Sequence, residues 1–472
     1  QERDGGASPV PDHAARVGAA DQHRRPPNLV PCVGVVRCGA GHRALRRRQQ
    51  RQHHRHGSRD ARPANAALRT ETGDTDSTVT FGITVPMSGI AAPGYNKVAP
   101  AAQAYLDYVN DNGGVNGRKI YLKVEDDRYA PATAVSKTNK LILQDKVFGL
   151  SGSLGTANHL AVLKSSNLAK RGVPDLFINT GYSGFDNPTK YPTTFTYLPS
   201  YIMEAKILGK YLASKYAGKK LALLYQDDDF GRDALAGFKI AGTTFAVSKG
   251  YASGSQSSPG LGAQIGAFQA AGAEVVVLFG VSSATGAALA TAAKLGYKAQ
   301  WVLGSVGGDA TTLKLLGVPL ALLAGSQGAS FLPSTGDDKD PYVTKFKEIN
   351  DKYNKGRDKT WDNNIFVGMN MGMTLVNAVK AAGKNLTRKG LIAAIEAKGS
   401  TFQTAGLSPL GYSKSSHAGY TGYWYGTYDA NGILQPEGGK YSVWTTDSKS
   451  GDVVASTFTR PAMPANAIPT IG

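Results

Sequence analysis

The chain has 472 residues, a formal net charge of +18 and 41% hydrophobic residues, enough for two or three domains with sizeable cores. The positive charge raises nucleic acid as a partner, but beyond Thr78 the basic residues are mostly Lys scattered among Asp and Glu. No basic stripe is interleaved with aromatics, so no nucleic-acid partner is expected. The two cysteines, Cys32 and Cys38, lie outside the periodic region and assign no redox compartment, and no apolar run approaches the roughly 20 residues of a membrane helix.

Residues 1–76 differ from the rest. Their basic residues are all Arg, and they hold His13, His23, His42, His53, His54 and His56, six of the eight histidines. The segment lacks apolar periodicity and could not bury a core, which predicts disorder. A reading-frame error or mis-set start is a sharper explanation. With GC-rich codons, a one-nucleotide shift turns residues 45–56 into Cys-Gly-Gly-Gly-Asn-Ser-Gly-Asn-Thr-Thr-Gly-Thr. The same shift turns residues 30–38 into a run rich in Ala, Leu and Ser. An apolar run, a Cys and a small polar linker resemble a bacterial lipoprotein export signal. A disordered arm and a His-rich metal site are the other readings, and the segment is set aside from fold reasoning.

In chain order, residues 79–85 alternate and end at Pro86, which predicts a strand. Residues 98–112 carry Ala102, Tyr105, Leu106 and Val109 at helical spacing and stop at Gly113-Gly114. A strand follows over 119–124, ending in Glu125-Asp126-Asp127, and then a helix led by Pro131 with its best pattern over 134–143. The strand–helix alternation runs to about Ala329, with strands over 221–225, 274–279 and 300–303. It implies a parallel α/β architecture. Helical patterns return over 343–353, 363–382 and 388–397, followed by a Tyr-rich region over 412–444 and a tail with Pro461, Pro464 and Pro469. These late helices must cover a sheet made earlier, so the chain is expected to revisit its first lobe.

The strand ends carry the chemistry. At residues 147–156 an apolar run breaks into Gly152, Ser153, Leu154, Gly155 and Thr156 before a helix opens at Ala157. Free N–H groups and the positive helix end make such a turn a seat for a carboxylate. The pattern recurs at residues 179–183, 280–283 and 304–308. In open α/β sheets ligands lie beyond the carboxyl ends of the strands, which is where these turns fall. No GxGxxG or Walker A motif accompanies them, so neither a dinucleotide nor an NTP is expected, and no cofactor is called for.

Pro86-Met87-Ser88-Gly89, Asn112-Gly113-Gly114-Val115-Asn116-Gly117, Glu125-Asp126-Asp127 and Gly231 after Tyr225-Gln226-Asp227-Asp228-Asp229-Phe230 stand in this order. Together they resemble the type I periplasmic binding proteins, specifically the Leu/Ile/Val-binding group of ABC transporters, over residues 77–444. The resemblance implies two Rossmann-like lobes with parallel sheets, joined by a three-crossover hinge. Crossovers would fall near Leu198, Ser330 and Tyr425. Lobe one would be 77–197 plus 331–424, and lobe two 198–330 plus 425–472.

By the same resemblance, Thr156 matches a serine that holds the ligand carboxylate, flanked by the apolar positions Leu154 and Gly155. A second carboxylate-binding turn matches Thr180, Gly181, Tyr182 and Ser183. Phe230 matches an aromatic wall from lobe two, a further aromatic position falls at Val281 or Ser282, and the mouth matches Pro93 to Tyr95. Relatives that bind α-amino acids pair the ammonium with a glutamate after a Gly-Pro turn. Here that turn reads Gly304-Ser305-Val306-Gly307, with Val306 at the carboxylate position. Either Asp309 or another acid substitutes, or the ligand carries no ammonium. The family's disulfide positions match Tyr129 and Gly155, so both ends are lost together.

Other residues have plainer readings. Asp227, Asp228 and Asp229 could suit a cation, but a helix cap is the commoner use, and no metal is expected. His159 has no nucleophile arrangement beside it, and Trp361, Met369, Met371 and Met373 suit a core. The expectation is a non-enzymatic, extracytoplasmic, monomeric solute-binding protein. It would capture a small carboxylate-bearing ligand, a branched-chain or other amino acid or an aliphatic or aromatic acid or amide. It would deliver that ligand to an ABC permease, either free in the periplasm or held by a lipid anchor at the membrane surface. A ligand-sensing regulator of the same fold, a serine-dependent hydrolase and a nucleic-acid binder are the rivals.

Overall fold

The computed structural model of the protein describes residues 71–256, 260–356 and 358–470. Cys32, Cys38 and the Arg/His-rich run lie outside the described residues. The first sheet is parallel, in the order β2-β1-β3-β4-β5: β1 (Thr78–Val85), β2 (Lys119–Asp126), β3 (Gly149–Ser151), β4 (Asp175–Ile178) and β5 (Thr194–Thr196). Its connections are α1 (Ala92–Tyr95, a single irregular turn), α2 (Val98–Asp111), α3 (Pro131–Asn139) and α4 (Thr156–Ser165). After β5 the chain leaves this sheet through α5 (Tyr201–Lys215).

The second sheet begins as a parallel unit of β6 (Leu221–Gln226), β7 (Val247–Tyr251), β8 (Val275–Phe279), β9 (Gln300–Leu303) and β10 (Gln327–Ser330). Its helices are α6 (Asp229–Ile240), α7 (Gly262–Ala270), α8 (Ser282–Lys294) and α9 (Ala310–Leu315). The chain then returns to the first lobe as α10 (Pro341–Tyr353), α11 (Asn363–Ala382) and α12 (Arg388–Lys398), and crosses once more before β11 (Gly422–Tyr428). β11 pairs antiparallel with β10, and β12 (Leu434–Pro436), β13 (Trp444–Thr445) and β14 (Val454–Ala455) add further antiparallel pairs. The Tyr-rich region thus extends the second sheet with strands that close local hairpins, beyond the parallel part read from the sequence.

β8 is the plainest case of sequence dictating an element. Val275–Phe279 is apolar throughout and buried throughout, because neighbouring strands flank it and helices cover it. α11 is 20 residues long with a mean hydropathy of 1.2, sufficient by length and composition to cross a bilayer, contrary to the reading that no segment approached this. It is 83% buried in the protein's own core. Gly368 and Gly372 let α2 lie against it, since a Cβ at Gly368 would stand 2.3 Å from the Val98 carbonyl oxygen and one at Gly372 2.9 Å from that of Ala102. Met369, Met371 and Met373 are core residues here.

Two terminal segments fall differently from the sequence reading. Residues 71–76, set aside with the N-terminal segment, belong to the folded body. Gly73 accepts the Thr80 N–H, and the buried Asp74 carboxylate pairs with Arg118 at 2.7 Å. The tail, assigned to lobe two, returns to lobe one. Tyr105 and Tyr108 on α2 donate to the Ala467 and Asn466 carbonyls at 2.6 Å, and Tyr342 on α10 donates to that of Pro461 at 2.9 Å. Proline-rich backbone has spare carbonyls, and the helix tyrosines supply the donors.

Candidate ligand-binding site

The carboxyl ends of β1 to β4 face those of β6, β8 and β9 across the space between the lobes, and a cavity of about 30 Å³ lies there. Leu154, Gly155 and Thr156 line it from the turn after β3, and Asn179 from the turn after β4. Tyr95 and Tyr129 complete the first lobe's side, while Phe230, Val281 and Val306 face them from the second lobe and Tyr201 from the start of α5.

Gly155 makes the turn into α4 feasible. Its φ of 106° suits glycine, and a Cβ there would meet the Tyr129 ring at 2.9 Å. The helix begins at Thr156, and no side chain caps it. Its first N–H groups therefore lack both intrahelical acceptors and a cap. The buried Thr156 and Thr180 hydroxyls bond each other at 2.7 Å, and the Thr180 hydroxyl also accepts the Tyr182 N–H at 3.3 Å. On the opposite side α8 likewise starts without a side-chain cap, at Val281. α6 differs, because Asp228 accepts the Phe230 N–H at 3.0 Å; the aspartate cluster there serves as a cap.

Several bonds join the two sides. The Tyr95 hydroxyl donates to the Val306 carbonyl at 2.8 Å, and the Ser183 N–H donates to Asp233 at 2.7 Å. Burial pushes the Tyr95 hydroxyl up to about 12, opposed by hydrogen bonding from the buried Ser282. Burial likewise raises the Asp233 carboxyl to about 6, against the stabilising bond from Ser183.

The structure gathers Tyr95, Leu154, Gly155, Thr156, Phe230, Val281 and Val306 of the sequence candidates around this cavity. Thr180 stands behind it through its bond to Thr156, Gly181 is engaged through its carbonyl by the Tyr201 N–H, and Ser282 opens α8. The remainder are placed elsewhere. Tyr182 packs edge-on against Phe185 with centroids 4.9 Å apart, Ser183 bonds across the lobes, and Pro93 sits half-buried in α1 without reaching the cavity. Ser305 faces a larger hinge-side cavity of about 360 Å³, which Asp309, Asp362 and Trp424 also line.

Sequence reasoning missed Tyr129, Asn179 and Tyr201 as lining residues, and Glu204 behind them. Glu204 is buried on α5 and accepts the Ser305 N–H at 2.6 Å and its hydroxyl at 2.9 Å. Tyr129 carried one usable signal, its pairing with Gly155 at the lost disulfide positions. His159 bonds the buried Asp175 at 2.7 Å within the first lobe, a structural contact.

The sequence model of the family described as Periplasmic binding protein matches residues 78–433. The chain belongs to the periplasmic binding protein family, of type I. Its members bind substrates and do not transform them. This binding protein is 26% identical over 255 residues to the Leu/Ile/Val-binding protein homolog 7 of Brucella abortus, a match covering 52% of this chain and 62% of the relative. The chain thus spans about 62% of the length of the first curated relatives it matches.

Among solved structures, it resembles a branched chain amino acid ABC transporter protein from Thermus thermophilus with bound valine. That match has a TM-score of 0.68 and 21% identity, over 79% of this chain and 97% of the other. It also resembles an ABC transporter solute binding protein from R. palustris in complex with 4-hydroxybenzoate, at a TM-score of 0.66 and 16% identity, over 79% of this chain and 98% of the other. At these identities the likeness is one of fold.

Proposed function

We propose that this protein is an extracytoplasmic solute-binding protein that captures a small carboxylate-bearing ligand between its lobes and delivers it to the permease of an ABC importer. The lobes in this reading are 77–197 with 331–424 and 198–330 with 425–472, the tail after Arg460 lying on the first. The observation that carries the reading is the uncapped N-terminus of α4, which opens at Thr156 on a small cavity lined from both lobes. Unpaired N–H groups, the positive helix end and the Thr156 hydroxyl, backed by Thr180, form a donor set for a carboxylate. Phe230, Leu154, Val281 and Val306 supply an apolar side for the ligand's body. The two structural relatives described above support this chemistry, since valine and 4-hydroxybenzoate share a carboxylate and little else. The hinge-side cavity is larger but has Asp309 and Asp362 in its lining, a poor setting for an anion.

Thr156→Val keeps the side chain's shape and removes its donor. It is expected to weaken binding of the tightest acid or amino acid by about 1.5–3 kcal/mol, the worth of a hydrogen bond to a charged group. Calorimetric titration of both proteins checks this, and unchanged affinity would remove the carboxylate from this turn.

A further inference from the structure

Resting on that reading, we infer that the ligand is a carboxylic acid without an ammonium group, carrying an aromatic or aliphatic body. An ammonium brought into a closed site must find a carboxylate or several free carbonyls, because a buried unpaired charge is strongly disfavoured. Among the described residues no Asp, Glu, Lys or Arg lines the cavity. The turn after β9 presents Val306, whose carbonyl is already taken by the Tyr95 hydroxyl, while the Asn179 backbone carbonyl accepts the Gly155 N–H.

The nearby acids are all engaged. Glu204 holds the Ser305 N–H and hydroxyl, Asp127 accepts from the Tyr129 N–H and the Asn158 side chain, and Asp233 holds the Ser183 N–H. Asp228 caps α6 and accepts from Gln226. Asp309, the substitute considered from the sequence, caps α9 through Thr312 and lines the hinge-side cavity instead. The uncapped N-terminus of α4 reaches the small cavity at Thr156, whereas at the start of α8 the Val281 N–H is taken by the Tyr251 hydroxyl and Ser282 by Tyr95. The positive end of α4 favours an anion there and opposes a cation. The rings of Tyr95, Tyr129, Tyr201 and Phe230 suit an apolar body.

The test is a calorimetric titration of the full chain with the standard L-amino acids, the deaminated counterpart of each, benzoate and 4-hydroxybenzoate. At least one acid should bind on the order of a hundredfold more tightly than its amino acid. The aromatic and aliphatic members separate the two kinds of body. Val306→Glu, checked for folding by thermal melting, should weaken the preferred acid at least about tenfold by facing its carboxylate with another. An amino acid binding as tightly as its deaminated partner overturns the inference and leaves carboxylate capture standing. Failure of every compound in both classes overturns the inference and the functional reading together.

Discussion

Glu204 shows how one side chain can shape a site it does not touch. Its carboxylate bonds Ser305, and Val306, the next residue, forms part of the cavity wall. Burial pushes the Glu204 carboxyl up to about 7 from 4.5, against the bonds from Ser305 and Tyr423 that favour the charged form. The native state therefore binds the proton more tightly than the unfolded chain, so this group costs stability as pH rises from about 4.5 through 7. The full cost is about 3 kcal/mol. Glu204→Gln cannot titrate and keeps an acceptor for the Ser305 N–H. The variant should gain stability relative to the parent as pH moves from 5 to 8, read by urea unfolding at both pH values. A constant difference would mean that Glu204 does not titrate in this range. The sequence did not disclose this residue, since a glutamate in a helical stretch reads as solvent-facing. Only the fold places α5 under the turn after β9.

At the scale of an element, the turn from β3 into α4 joins a special backbone to a close contact. Gly155 has a φ of 106°, and its missing Cβ leaves room for the Tyr129 ring. Gly155→Ala adds backbone strain and a clash at 2.9 Å. It should lower stability by about 1–3 kcal/mol and weaken ligand binding with it, both read on the same preparation by urea unfolding and titration. Unchanged stability would mean that the turn relaxes without strain. This element was legible because an apolar run followed by small residues and a helical pattern has a local cause. The same holds for β1, β9 and α11, whose boundaries in the structure agree with the sequence pattern to within a residue. The antiparallel strands and the returning tail were not legible. Their positions depend on partners far away in sequence, such as β10 for β11 and α2 for residues 466 and 467.

Across the whole molecule, the lobes meet around a space of about 30 Å³, too small for a valine or a benzoate. In the proposed function they therefore part for ligand entry and close behind it. The contacts made only on closure then hold the ligand in. Chief among them is the Tyr95 hydroxyl, which spans from α1 to the Val306 carbonyl at 2.8 Å beside the cavity. Tyr95→Phe keeps the ring and deletes the bond, leaving a carbonyl short of its partner in the closed form alone. A neutral hydrogen bond contributes about 1 kcal/mol net, so dissociation should quicken by roughly fivefold. Association should hold nearly constant, because the ligand enters before the contact forms. Stopped-flow measurement of both rates with the tightest-binding compound separates these effects. A slower association at unchanged dissociation would assign Tyr95 to the entry step, and the closed state would then rest on the Ser183–Asp233 bond.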